Sequence, residues 1–302
     1  MKKTLLFIGL FLTLCSTVNA ATTSAEALRQ TYAGLHRVSS IAQSIFRANL
    51  KYCKNQRGYF GFSYVAVSPN ATSQDRTLWA EALNAKEIPS VIFVLPNGAA
   101  DHAGLRTGDL VVSVNGKPWP AEVAEQDMFA KYLSEQVRSH LSLRLIARRN
   151  NEDIPILITA DNSCDVNMNF VPNSRTSAFA GKNDIFVESG LDKLLETDAE
   201  LAFIVAHEFA HIILGHTPLP TEAKSNGINN RASIERAADE LGIQLMIRAG
   251  YDPEASITAI RKIDHANRGP ISRMLGLFGD YMPTEQRVEF LKSVAARASN
   301  AK

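Results

Sequence analysis

The chain has 302 residues, 45% of them hydrophobic and 21% charged, enough apolar content for real cores and enough length for two modest domains. A formal net charge of +1 offers no basic or acidic excess, which excludes partners held by bulk charge, nucleic acid first among them.

Residues 1–20 read as a secretory signal peptide. Lys2 and Lys3 precede an apolar run from Leu5 to Leu14, and Val18 and Ala20 suit cleavage before Ala21. The run is too short to span a bilayer as a mature helix, and no other stretch is long enough either. Cys15 as a lipidated N-terminus is the rival reading, since Leu12 lies three residues before it; Leu14 stands where a small residue is wanted. The expectation is export, to a periplasmic space. After cleavage Cys53 and Cys164 remain, an even pair that in an oxidising compartment suggests a disulfide. Two unconnected buried thiols are the alternative.

Residues 21–52 carry a helix. Leu28, Tyr32, Leu35, Val38, Ile41, Ile45 and Phe46 recur at three- and four-residue steps, giving one apolar stripe expected to pack on the C-terminal domain. From Cys53 to about residue 165 the texture changes to short β-like runs and turns. Tyr59-Phe60-Gly61-Phe62 leads into Val65-Ala66-Val67 and a polar stretch; a strand at Val91 to Leu95 follows. Gly104 and Gly108 bracket a tight connection, Asn115-Gly116 is a turn signal, and a helix is expected over about 121–137 with strands at 141–147 and 154–159.

Residues 166–302 return to helical periodicity after a small sheet. Asn167 to Val171 and Ala178 to Val187 read as strands, with Gly181 to Asp184 as turn material, and Gly190 to Leu195 as a short helix. Thr197-Asp198-Ala199-Glu200 is a capping box opening a helix through Leu201, Ile204, Val205, Ile212 and Ile213, ended by Gly215. Inside that apolar run sits His207-Glu208-Phe209-Ala210-His211. Residues four apart share one helix face, so both imidazoles can take one metal ion, while Glu208 is turned about 100° and can reach a water beside it without being a ligand. Packed core histidines are the bland alternative, but an unmetallated His-Glu-His run would strand polar nitrogens and a charge among apolar neighbours.

Residues 217–230 have no apolar period and read as a mobile loop. The helix expected over 232–249 offers Glu235 as third ligand and Asp239, one turn on, as the acceptor that fixes a ligating His; Glu240 is the competing carboxylate, a quarter turn away. An ordinary salt bridge to a nearby Arg is the other reading of Asp239. Pro253 opens a further helix and about 284–298 the last. His216, five residues past His211, reads as a helix-end or loop residue, and His36, His102, His140 and His265 as structural.

Two resemblances complete the reading. The run Ala100-x-x-Ala103-Gly104-Leu105-x-x-Gly108-Asp109-Leu110-Val111-Val112-Ser113-Val114-Asn115-Gly116 resembles a PDZ domain of the bacterial protease type, with Tyr59-Phe60-Gly61-Phe62 placed like its carboxylate-binding loop. That resemblance implies capture of an extended peptide, often a C-terminus, by strand addition; a β domain serving only as spacer or lid is the alternative. His207 to His211, His216, Glu235 to Asp239 and Ala249-Gly250-Tyr251-Asp252-Pro253 resemble the zinc metallopeptidases related to HtpX and the CAAX prenyl proteases, peptidase family M48. This likeness implies an α+β chain in which a mostly helical gluzincin domain with a small sheet holds one Zn2+. His207, His211 and Glu235 are its expected ligands, Glu208 its general base, and Ser177, Ala178, Phe179 and Ala180 its substrate-pairing edge strand. Two departures stand out. Ser177 occupies a position often Asn, and Tyr281-Met282-Pro283 replaces a His-Pro motif, leaving Arg287 or Tyr281 as candidates to stabilise the transition state, since Met282 cannot donate a hydrogen bond. The expected function is hydrolysis of envelope polypeptides. A chaperone-like assembly factor with little proteolysis and a pure PDZ scaffold are the alternatives.

Overall fold

A computed structural model describes residues 7–8, 24–120, 122–217, 228–267 and 283–299. The expected signal peptide (apart from Phe7 and Ile8), Cys15, Tyr281, Met282 and most of the loop at 217–230 lie outside the described residues. The chain divides into two units, Met1–Ala33 with Arg57–Ser163, and Gly34–Gln56 with Cys164–Lys302. Helix α1 (Ala25–Ala48) starts in the first and continues into the second.

The first unit is built on an antiparallel sheet. Its order runs from β1 (Phe7–Ile8) through β3 (Phe62–Ala66), β4 (Ser90–Val94), β5 (Leu110–Val114) and β7 (Ser142–Arg149) to β8 (Glu152–Thr159), with β6 (Lys117–Pro118) paired on β5. Period-two alternation explains which faces are buried. Leu143, Leu145 and Ala147 on β7 and Ile156 and Ile158 on β8 point inward, whereas Ser142 and Arg144 are exposed. Asn115 and Gly116 both have positive φ, 48° and 83°, as the primed hairpin turn between β5 and β6 demands. Helix α4 (Val123–Ser139) delivers Phe129 and Leu133 to the core and is tied to β3 by Tyr64 Oη and Ser134 Oγ, 3.0 Å apart. Strand β1 pairs antiparallel with β3, Phe7 opposite Ala66 and Ile8 opposite Val65, and also packs on α4.

Part of the stretch read only as polar forms helix α2 (Ser73–Leu83). Its apolar residues make no stripe and only Ala82 is buried, so periodicity does not reveal it. Local signals do: the Thr72 side chain accepts from the Asp75 backbone at 3.0 Å, and Asn84 ends the helix at φ 51°. A single turn, α3 (Ala99–His102), follows β4.

The second unit opens with the later turns of α1 and leaves for the first unit near β2 (Gln56–Tyr59), which pairs with β9 (Asp161–Cys164) where the chain returns. Cys53 and Cys164 form a disulfide, Cα–Cα 5.3 Å, across 111 residues of chain. Beyond it, β12 (Asp184–Glu188) lies between β10 (Asn167–Val171), parallel to it, and β11 (Ala178–Ala180), antiparallel. The segment expected as one strand over 178–187 is therefore the β11–β12 hairpin. Helices α5 (Ser189–Leu194), α6 (Asp198–Leu214), α7 (Ile228–Arg248), α8 (Ala255–Ala266) and α9 (Thr284–Ser299) complete it. The protein is α+β.

Helix α6 is the hub. It packs on α7, α8, β11 and β12, and every residue from Glu200 to Ile212 is buried. A capping box starts it: the Glu200 N–H donates to Thr197 Oγ1 (3.2 Å) and the Thr197 N–H to Glu200 Oε2 (3.1 Å). Lys262 on α8 then neutralises the Glu200 carboxylate at 2.9 Å. On α1, Arg37 donates to Asp192, Asp198 and the Leu195 carbonyl, and Phe46 meets Phe209 edge-on at 4.9 Å, seating the stripe against the start and middle of α6.

Candidate metal centre

His207 and His211 lie one turn apart on α6 and turn their Nε2 atoms towards each other, 3.1 Å apart. Helix α7 brings a carboxylate to both. Glu235 Oε2 is 3.2 Å from His207 Nε2 and 3.6 Å from His211 Nε2. Four donors around a zinc ion at its usual bond lengths stand about 3.3 Å apart, so this triangle has the size of a tetrahedral face. The three donor atoms are the group among the described residues able to hold a metal ion. Their chemistry fits: two imidazole nitrogens and a carboxylate oxygen converging on one point present only lone pairs unless a cation sits among them.

The close approach of α7 has a visible cause. A Cβ at Gly242 would stand 3.1 Å from the His207 backbone N and Cα, tighter than ordinary packing, so glycine lets the two helices touch beside the first imidazole. Glu235, Asp239 and Gly242 share one face of α7 at four- and three-residue steps. Glu240 does not join them; it faces Arg297 at 3.4 Å.

The surroundings of the triangle are strongly polar and buried. Asp239, 0% exposed, sets Oδ1 2.9 Å from His207 Nδ1. The same carboxylate takes Arg287 on α9, Nε at 2.8 Å and Nη2 at 2.6 Å. Asp239 thus stands beside the His207 ring and pairs with Arg287 at once. For Arg287 this is a change from the expected transition-state role: its Nε and one Nη are engaged by Asp239. Burial pulls the His207 pKa down, but Asp239 and Glu235 outweigh it and push it up to about 10, the mark of a pocket that attracts positive charge. Burial alone would raise Glu235, yet the two imidazoles hold it well below the usual carboxylate range. Burial also opposes ionisation of Asp239, which Arg287 and His207 reverse. Glu208 is shifted upward, because burial and the Glu235 charge outweigh the two histidines.

His216 lies just past the end of α6, as read from the sequence, and it also reaches the site. Its Nδ1 lies 3.1 Å from Nδ1 of His211, the ring nitrogen facing away from the triangle. The spacing of five is off the α-helical face, but Gly215 adopts φ 73° and reverses the chain there. The signal was the glycine between the two histidines.

The edge strand lies alongside. Among the described residues β11 ends its sheet, pairing with β12 alone, and it packs on α6. Ser177 continues the pairing through its carbonyl, which accepts from the Glu188 N–H at 3.0 Å. Ala178 and Ala180 are half-buried, whereas Phe179 is 48% exposed and stacks on Phe186 at 4.7 Å. Thr217 Oγ1 donates to the Gly181 carbonyl at 2.7 Å, tying the hairpin turn to the exit of α6. In the first unit Phe60 and Phe62 are core residues, Tyr59 is half-buried, and Gly61 has φ 75° with its carbonyl accepting from Leu95.

Comparison with known proteins meets this geometry at the same places. Residues 160–228 match the model of peptidase family M48, and residues 93–145 match that of a PDZ domain. The two matches fall on separate parts of the chain, the first over the His207–His211 motif and the second over the β-rich unit. The M48 match ends before Glu235, so the third donor is joined to the motif by geometry. The PDZ match begins at the end of β4, beyond Tyr59 to Phe62. Two curated relatives, the serine protease HTRA1 of Xenopus laevis and of Xenopus tropicalis, are each 35% identical over 69 residues. That stretch is 23% of this chain but spans only 13% and 14% of those relatives.

Proposed function

We propose that the M48 unit is a zinc-dependent endopeptidase, exported to a periplasmic compartment and acting on extended segments of envelope polypeptides. The observation that carries this reading is the triangle of His207, His211 and Glu235. These three residues would hold one Zn2+, leaving one coordination position open. When bound there, zinc supplies Lewis acidity that polarises the scissile carbonyl and acidifies water.

The chain's own groups do the rest. Glu208, next to the first ligand but not one of the three, accepts the proton of the attacking water and passes it to the leaving amine. Asp239 holds the His207 ring through Nδ1, and Arg287 holds Asp239. The free side of β11, with Ser177 to Ala180, would align the substrate backbone by strand pairing. Polypeptide recognition by the PDZ domain has its own support: β3 accepts the short antiparallel strand Phe7–Ile8, beside α4. Export is supported by the N-terminal sequence and by the Cys53–Cys164 disulfide. No described helix is long and apolar enough to cross a membrane.

The test is casein turnover by wild type and by Glu208→Gln, with zinc measured in both. The expected outcome is one zinc per chain in each and a loss of at least about 100-fold in turnover for the variant. Equal turnover would remove Glu208 from its role. A zinc-loaded wild type that cleaves nothing would favour the second reading, a binding or assembly factor, for which Met282 in place of the family's His speaks.

A further inference from the structure

Helix α6 ends in a hydrogen-bonded reversal that usually brings two apolar side chains together. The His216 N–H donates to the His211 carbonyl at 2.9 Å and the Gly215 N–H to the Ile212 carbonyl at 3.2 Å, with Gly215 in the left-handed region at φ 73°. These are the 6→1 and 5→2 bonds of the Schellman motif, in which the first residue of the six and the last face each other, commonly as a hydrophobic contact. Here those two positions are both histidine. Their rings meet edge-on, centroids 5.2 Å apart and planes at 63°, with the Nδ1 atoms at 3.1 Å.

The direction of that hydrogen bond follows from the other end of the His211 ring. Its Nε2 faces His207 Nε2 and Glu235 Oε2. An imidazole that gives its Nε2 lone pair to a metal carries its proton on Nδ1, so His211 is the donor and His216 Nδ1 the acceptor. Ligating histidines are as a rule oriented by an acceptor at the second nitrogen. His207 has Asp239 in that place, and His211 has His216.

We propose that His216 is a positioning residue of the metal centre, acting through the Schellman turn as the hydrogen-bond acceptor that sets the tautomer and ring angle of His211. The helix terminus and the ligand support are therefore one device, written as His-x-x-x-Gly-His. This inference rests on the reading of His207, His211 and Glu235 as a zinc site.

The experiment measures zinc affinity of the full chain by competition with a chromophoric chelator, for wild type, His216→Ala and His216→Asn. Asparagine Oδ1 falls close to where Nδ1 stands and can accept the same hydrogen bond. His216→Ala should weaken zinc binding about 10- to 100-fold. His216→Asn should return it to within about threefold of wild type, a rescue that restored bulk alone would not give. Cobalt-substituted protein supplies a second readout: the visible ligand-field spectrum should shift in His216→Ala and return in His216→Asn. Circular dichroism checks that all three are folded. Wild-type affinity in His216→Ala, or His216→Asn as weak as His216→Ala, overturns the proposal. A wild type that binds neither zinc nor cobalt overturns the underlying reading as well.

Discussion

One imidazole, His207, touches more of the centre than any other side chain: Nε2 faces His211 and Glu235, Nδ1 faces Asp239, and its backbone lies against Gly242. Most of this was legible, because the motif fixes two donors by helical periodicity alone, and an offset of about 140° around the helix separates Glu235 from Glu240. His216 was not, since periodicity stops applying at a left-handed glycine. A different histidine should contribute to acid sensitivity. His36 on α1 has its pKa lowered to about 4 by burial. Its unfolded value is near 6.5, so between these two pH values the unfolded chain binds the proton that the folded one refuses, and folding weakens as pH falls. Above about pH 6.5 His36 should contribute no penalty, and below about pH 4 the full one, on the order of 3 kcal/mol. Urea midpoints measured from pH 7.5 to 4 should fall less steeply for His36→Gln than for wild type; parallel curves would show that His36 is not responsible.

Between elements, the most extensive packing in the second unit is that of α6 with α7. Sequence alone assigned both helices and their polar faces, but not the reason they approach so nearly. Gly242 sits in what reads as an ordinary helix interior, where glycine costs up to about 1 kcal/mol relative to alanine. The structure supplies the compensation, since a methyl group there meets the His207 backbone at 3.1 Å. Gly242→Ala should therefore forgo the propensity gain and lose about 1–3 kcal/mol by overpacking. It should weaken zinc binding in the same variant, because Glu235 and Asp239 ride on α7. Chemical denaturation with zinc titration checks both; a variant more stable than wild type and unchanged in affinity would show that the helices part freely. Helix α2 marks the opposite case: it was hidden because its register carries no apolar stripe, only a cap at Thr72 and a stop at Asn84.

At the scale of the molecule, the two cysteines beyond the expected signal peptide pointed to the Cys53–Cys164 bond, and composition separated a β-rich stretch from the helical remainder. The unit boundaries differ by a few residues from that reading, and the first turns of α1 group with the β-rich unit, because an apolar stripe does not say which partner each turn meets. Closing 111 residues should stabilise the chain by about 4–5 kcal/mol in the chain-entropy account. Cys53→Ser with Cys164→Ser should lower the unfolding free energy by about 2–5 kcal/mol, read from denaturant melts, and reductant should do the same to wild type. Identical thiol titres before and after reduction would remove the bond.

The Cys53–Cys164 bond has one more consequence. The PDZ-bearing stretch departs and returns at points 5.3 Å apart, a distance bridged by one or two peptide units. A change in the length of that stretch need not move the two ends that hold it. The unit that carries the three donor atoms and the stretch that matches a PDZ domain can then change on separate schedules.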